Sequence, residues 1–496
     1  MLKEVLKLLL VPSGLWFNRN LVVHSNTYPP GPTGRFPSYL FHFRPPADPL
    51  GFLTNVARTY GDVAHYRAGR QHVVLLSDPD LIREVLTTDS RVFVKTRVMQ
   101  RTKVLLGEGL LTSEGGFHMR QRRLVQPAFH RQHIADYARA MVELGARARD
   151  RWIDGAILDI HQEMMRLTLA IVARTLFSVD VEHEAADIGA AITSLLNLFP
   201  FLVMPFSEWL EKLPVGPSRK AARAVRRLDQ TIYRIIESRR ADEKTNGDLL
   251  AMLLQTRDVE GDGGHMNDRQ IRDECMTLFV SGHETTAVAL TWTLYLLSQN
   301  PDIAARLHEE IDTVLGGRLP TFEDLPQLRY AEMVFAESMR LYPPAWTLAR
   351  VTVTPCRIRE YEIPPGTLLM MSQWVMHRDP RFFRQPEQFD PERWIPEARS
   401  ARHKFSYFPF GGGPRQCVGE SFAWTEGILL LVTLAQRWMM RLVPGHPVKP
   451  QPRLTLRPKC GMKMVLSRRE HGPGSRMLQI SEAALDSSRQ RHKLTV

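Results

Sequence analysis

The feature that most constrains the fold lies between the cap-like pair Asn267-Asp268 and Asn300-Pro301, where a helical pattern of apolar residues runs unbroken until the proline stops it. At about 1.5 Å per residue, a helix of this length crosses an entire globular body. A domain built around it is mainly helical. Its middle is costly for a buried helix, because Ser281-Gly282-His283-Glu284-Thr285-Thr286 places a glycine, a carboxylate and two adjacent alcohols there. Each polar group requires a partner, and the glycine weakens the helix. Such local conflict points to function: an acid beside an alcohol holds water and relays protons to a reacting oxygen atom. His283 has no neighbours at metal-ligand spacing and reads as an ordinary side chain.

A second run, Phe410-Gly411-Gly412-Gly413-Pro414-Arg415-Gln416-Cys417-Val418-Gly419, has the composition of a loop that shelters a thiolate. Three glycines and a proline allow a tight turn whose amides point at sulfur, and Phe410 packs over it to limit water. These residues read as the loop of a thiolate-ligated heme, with Cys417 as the iron ligand. Gly419 then lacks a Cβ where the following helix passes a porphyrin face, and Arg415 supplies a permanent cation for a propionate.

The spacing Phe-x-x-Gly-x-Arg-x-Cys-x-Gly is similar to the heme-ligand signature of the cytochrome P450 monooxygenases, and every fixed position is filled. The Glu284 segment resembles that family's oxygen-binding motif, Ala/Gly-Gly-x-Asp/Glu-Thr-Thr/Ser, with Ser281 at the first position. The resemblance implies a mainly α fold with small β-sheets, in which heme b (iron protoporphyrin IX) lies between the long distal helix and the cysteine-ligand loop. It implies that Thr285 is the distal alcohol and Glu284 the acid. Glu337-Ser-Met-Arg340 and Pro391-Glu-Arg393 resemble the family's Glu-x-x-Arg and Pro-Glu-Arg elements, so Glu337, Arg340 and Arg393 are expected to form a buried structural network. His118 and Arg122 stand four apart on one helix face and are expected to meet the propionates together, although tryptophan is common in the family where this chain has His118. Arg350 resembles a further propionate-binding arginine on a strand. Arg120 and Arg123, on other faces of the His118 helix, either solvate it or suit an acidic electron donor.

The resemblance also implies substrate contacts from the loop Phe93 to Leu111, the distal helix near Phe279, the segment Ala345 to Leu348, and the turn Cys460-Gly461-Met462. The apolar stretch Leu195 to Leu210 reads either as a lid over the entry channel or as core.

The remainder of the sequence sets the organisation. Four scattered cysteines among 496 residues form no Cys-x-x-Cys pair, which argues against a disulfide scaffold and a fused iron–sulfur module and favours a reducing compartment. The net charge of +12 has part of its origin in a basic tail over residues 467–496, read as disordered, and no aromatic-basic interleaving suggests nucleic acid. Residues 1–29 form an amphipathic segment too short in apolar length to span a membrane, so the expected location is cytoplasmic, with peripheral membrane contact as the other reading. Between them, residues 30–466 form one domain. Tyr28-Pro-Pro-Gly-Pro32 punctuates its start, a hairpin is expected around Val63–Tyr66 and Val73–Leu76, and strands at Arg350–Val353, Thr367–Met370 and Lys463–Leu466.

With no dinucleotide fingerprint after Leu466, electrons are expected from a separate ferredoxin or flavodoxin with its reductase. The sequence thus reads as a heme-thiolate monooxygenase that uses O2 to hydroxylate or epoxidise a hydrophobic small molecule, fatty acid or terpenoid-like. A peroxide-using peroxygenase, a heme-thiolate isomerase and a non-catalytic heme-binding sensor are the alternatives.

Overall fold

The computed structural model describes residues 28–32, 35–36, 48–88, 92–178, 216–241, 248–258 and 263–469. The long helix expected from the sequence runs from Asp268 to Gln299. Asn267 starts it with a capping box: its side chain accepts from Gln270 N, while Gln270 returns a bond to the Asn267 amide. The helix Pro301–Leu315 follows after Asn300, with proline in its first turn, where the missing N–H costs nothing.

The distal helix packs most extensively against Ile160–Phe177, where Phe279 stacks on Phe177 at a centroid distance of 4.1 Å. It also meets Arg329–Leu341 and Glu420–Ala435, which begins directly after the cysteine loop. Leu429, Leu430, Leu431 and Val432 of that last helix are fully buried, as are Ala287, Val288 and Leu290 of the distal helix. The main core is therefore helical, and the cysteine loop is tied into it.

Six strands form a mixed sheet in the order Arg35–Phe36, Val63–Ala68, Gln71–Leu76, Leu368–Met371, Leu348–Thr352 and Phe93–Val94. The expected hairpin is present and longer than read, pairing Val63 with Leu76 and Ala68 with Gln71. Arg350 lies in the fifth of these strands, opposite Leu369. A second sheet joins Trp438–Leu442, Lys463–Arg468 and Ile157–Asp159. Its central strand extends past the expected domain end at 466, and the Arg469 amide donates to Arg437 O at 2.9 Å. Residues 467–469 thus belong to the body, because the strand needs them to complete its ladder.

Tyr28 also belongs to the body. Its ring stacks on His65 and His72 at 4.4 and 4.5 Å, and the His65 amide donates to Pro30 O. The amphipathic reading of residues 1–27, the lid reading of Leu195–Leu210 and the tail beyond 469 lie outside the described residues. Among the described residues, no helix is long and apolar enough to cross a membrane.

Candidate active site

The distal helix is buried almost without interruption. Between Ile271 and Leu294 only Ser281, Gly282 and Thr285 are partly open, and these lie within a single turn of the expected motif. The opening is a geometric property of this turn, since residues i, i+1 and i+4 share one side of a helix. Thr285 Oγ1 donates to Ser281 O at 2.8 Å, and Ser281 Oγ donates to Thr277 O at 2.6 Å. Gly282 backs onto Val172, whose Cγ2 would lie 3.1 Å from an added Cβ. His283 is buried, and its Nδ1–H donates to Phe279 O, a structural role as expected.

Glu284 points away from that opening. It is 1 % exposed, accepts from Arg457 Nε at 2.5 Å and from the Thr455 hydroxyl, and leaves Oε2 without a hydrogen-bond partner among the described residues. Arg457, from strand Leu456–Pro458, was not marked by any sequence signal, because an arginine in a basic C-terminal region has no motif of its own.

The cysteine loop is organised by its backbone. The Cys417 amide donates to Phe410 O at 3.0 Å, and Phe410 rests against Trp424 with centroids 6.0 Å apart. Gly413 has φ +68°, and a Cβ there would sit 2.1 Å from Leu86 O, so both conformation and space demand glycine. Gly419 is different. Its φ of −91° is ordinary, and an added Cβ would meet Phe129 at an unstrained 3.6 Å, so no protein atom requires a glycine at this position.

The Cys417 side chain is accessible although protein atoms crowd it on most sides. Burial pushes its thiol up to about 11, opposed by the Gly419 amide and the Arg122 charge. Such a thiol needs a strong electrophile to become a thiolate, and a ferric iron supplies one.

The expected propionate residues divide into two groups. His118, Arg350 and Arg415 line one cavity of about 190 Å³ together with Val85 and Phe93. Arg122 is not among its lining residues and donates instead to Gln416 O at 2.6 Å, the carbonyl just before the cysteine. Sharing a helix face with His118 therefore does not take it to the same contact.

Lys95 joins these residues as a further nearby cation and was missed by sequence reading, since a lysine after a short strand carries no motif. Its Nζ donates to Leu110 O and Ser113 O at 2.9 and 2.8 Å. Burial and the Arg415 charge push Lys95 down to about 7, and burial with Arg415 pushes Arg350 down to about 10. Burial, Lys95, Arg415 and Arg122 hold His118 down to about 3. The His118 Nδ1 meets Ser113 Oγ at 3.1 Å, and its Nε2 has no partner in hydrogen-bonding geometry among the described residues. Glu114, paired with Arg415, is the acid that offsets these cations. Three crowded cations and an orphaned ring nitrogen fit a dianionic ligand edge, which heme propionates provide.

Glu337, Arg340 and Arg393 come together in one buried hydrogen-bonded group. Arg340 Nε and Nη2 each donate to Glu337 at 2.8 Å, and both residues are 0 % exposed. Arg393 Nε, Trp394 Nε1 and the Asp390 amide also donate to Glu337, at 3.2, 2.9 and 3.0 Å. The remaining Arg340 donors reach the carbonyls of His377, Pro386 and Gln388.

Arg120 and Arg123 do not form a free basic patch. Both pair with Asp258, which is 3 % exposed; Arg123 does so through bonds of 3.0 to 3.1 Å. The loop preceding the distal helix folds back over them and supplies an internal acid in place of an external one.

Among the other expected substrate contacts, Phe279 is 2 % exposed and faces Phe177, while Trp346 Nε1 donates to Arg453 O. Met462 is fully buried, and its amide donates to Asp159.

A family model described as cytochrome P450 matches residues 29–464. The chain is 40% identical over 411 residues to cyclooctatin synthase of Streptomyces melanosporofaciens, an alignment covering 82% of this chain and 89% of that protein. It is 38% identical over 406 residues to pentalenene oxygenase of Streptomyces avermitilis, covering 81% and 89%. Among solved structures, the retinoic acid-bound cyanobacterial CYP120A1 superposes with a TM-score of 0.79 at 25% identity, covering 89% of this chain and all of that one. With the buried Glu337 network and a distal helix whose buried stretch Ile271–Leu294 opens at Ser281, Gly282 and Thr285, these matches establish that the chain belongs to the cytochrome P450 family of heme-dependent monooxygenases.

Proposed function

We propose that this monooxygenase hydroxylates or epoxidises a terpenoid-like hydrophobic molecule, with electrons from a separate ferredoxin or flavodoxin and its reductase. The substrate class is supported by relatives named for cyclooctatin and pentalenene and by a structural neighbour holding retinoic acid. The observation that carries the site assignment is the opening at Ser281, Gly282 and Thr285 within the otherwise buried stretch Ile271–Leu294 of the distal helix. When bound, heme supplies dioxygen activation, and thiolate ligation favours O–O cleavage.

The chain's own residues then divide the remaining work. Cys417 would hold the iron, with the Gly419 amide and Arg122 favouring negative charge on its sulfur. His118 Nε2, Arg350 and Arg415 would hold the propionates. Thr285 donates a hydrogen bond toward the reacting oxygen once it leaves the Ser281 carbonyl, and Glu284 restores the proton. For Glu284 to do so, its carboxylate must exchange the Arg457 contact for one with water.

The test is the carbon monoxide difference spectrum of the reduced protein and of Cys417→Ser. The parent is expected to show the strongly red-shifted Soret band of thiolate ligation, and the variant to lose it while retaining heme. An unchanged spectrum in the variant would remove Cys417 as the ligand. A low-to-high-spin shift on titration with terpenes and not with fatty acids is expected, and the reverse preference would overturn the substrate class.

A further inference from the structure

The segment from Leu105 to Ser113 lies along the first half of the distal helix, and three consecutive charged residues of that helix hold its backbone. Arg272 Nη2 donates to Leu105 O at 3.3 Å, Asp273 Oδ2 accepts from the Glu108 amide at 2.8 Å, and Glu274 Oε2 accepts from the Leu110 amide at 3.0 Å. The approach is close enough to exclude side chains. Gly107, at φ +63°, would carry a Cβ 2.0 Å from the Asp273 carboxylate, and a Cβ on Gly109 would sit 2.3 Å from Thr277 Oγ1. Thr277 is one turn before Ser281, so Gly109 lies one turn from the opening in the helix.

The same segment is held from the opposite direction. Lys95 Nζ donates to Leu110 O and Ser113 O, and Arg415 Nη1 donates to Ser113 O at 3.1 Å. Leu110 is therefore gripped at both ends of its peptide groups, its amide by Glu274 and its carbonyl by Lys95. Glu274 is 0 % exposed and also accepts from Gln121 Nε2 at 3.2 Å, which ties in the His118 helix. Buried loop backbone requires such partners. Local turn bonds such as Gly107 N–H to Lys103 O and Ser113 N–H to Gly109 O supply some of them, and the side chains of Asp273, Glu274, Lys95 and Arg415 supply others that a sheet ladder would otherwise provide.

We propose that Asp273, Glu274 and Lys95 form a clasp that fixes the segment Leu105–Ser113 between the distal helix and the propionate-side cluster, and that these three are positioning residues for the substrate cavity. The clasp makes the position of the cavity wall depend on both the distal helix and the cofactor's anionic edge. This rests on the reading that the loop from Phe93 to Leu111 contacts the substrate.

The test is amide hydrogen exchange, read by mass spectrometry on the heme-loaded protein, for Glu274→Gln and Lys95→Met, with Gly107→Ala as an independent variant that pushes the backbone off Asp273 while keeping every charge. Exchange in peptides spanning Leu105–Ser113 is expected to accelerate by on the order of tenfold or more, with the 286–299 half of the distal helix unchanged. Binding of imidazole, which is small, and of miconazole, which fills a distal cavity, is then measured by the Soret shift.

A change of about fivefold or more in miconazole affinity with imidazole unaffected is the expected result. Unchanged exchange in Leu105–Ser113 for all three variants overturns the clasp. Accelerated exchange with both affinities unchanged leaves the clasp standing and overturns the reading that this segment walls the substrate cavity.

Discussion

Replacing Glu337 by glutamine removes one negative charge and little volume, so the loss measures electrostatics more than packing. The carboxylate accepts five hydrogen bonds: two from Arg340, one from Arg393, one from Trp394 and one from the Asp390 amide. A glutamine oxygen can retain part of this set, but its NH2 group then faces donors, and Arg340 remains at 0 % exposure with no counter-ion. Stranding a buried charge in this way costs about 3 to 5 kcal/mol. That is a large fraction of the roughly 5 to 15 kcal/mol that holds a typical domain folded.

The internal control is Glu332→Gln, which breaks the exposed pair with Arg399 at 3.2 Å, where both side chains are more than 40 % exposed. Such a surface pair contributes about 1 kcal/mol or less. Urea unfolding followed by tryptophan fluorescence on parent, Glu337→Gln, Glu332→Gln and Glu337→Gln with Arg393→Gln gives the comparison. The double variant is expected to lose less than the sum of its single changes, because each partner strands the other. Equal losses from Glu337→Gln and Glu332→Gln would refute the argument that the network is a buried charge cage.

Thr285→Ala is expected to leave the heme spectra intact while diverting reducing equivalents to hydrogen peroxide, measured as peroxide formed per reduced cofactor consumed; fully coupled turnover would take Thr285 out of the relay. Glu426 gives a prediction of pH dependence. Burial pushes its carboxyl up to about 8, and the Thr286 hydroxyl offsets this in part although it falls outside hydrogen-bonding geometry. A folded-state value above the usual 4.5 means that this group's stabilising contribution is present at low pH and is lost as pH rises toward 8.

Glu426→Gln is therefore expected to gain on the parent between pH 5 and pH 8 in urea unfolding, by up to about 4 kcal/mol as an upper bound from the shift. A stability difference that does not change with pH would show that Glu426 is not held protonated.

The long helix, the hairpin, the Glu337 network and the cysteine loop were legible because each is encoded locally: a cap, a period, a glycine run, or charges at fixed spacing. The partners of those elements were not. Arg457 reaches Glu284 across 173 residues of sequence, and Lys95 enters the cation cluster only because a loop and two remote strands converge there. Arg120 and Arg123 show the opposite error, in which charges read as free surface are neutralised by Asp258 from a loop 135 residues onward in the case of Arg123. Spacing of four residues placed His118 and Arg122 on one face correctly, but the reach of an arginine side chain took Arg122 to Gln416. Short pairings such as Cys356–Ile358 with Tyr361–Ile363 left no alternation long enough to read.

The cysteine loop also fixes when, during synthesis, this protein can acquire its cofactor. Arg415 meets Ser113 and Glu114 across 302 and 301 positions, and Arg122 meets Gln416 across 294. At roughly 5 to 20 residues per second, the early half of the site waits on the order of 15 to 60 s on the ribosome for its other half. Throughout that interval Lys95 and His118 have emerged without the arginines and the ligand that complete their cluster. Cofactor capture consequently cannot precede the emergence of Cys417, and a shortage of heme leaves a cationic pocket that Glu114 offsets only in part.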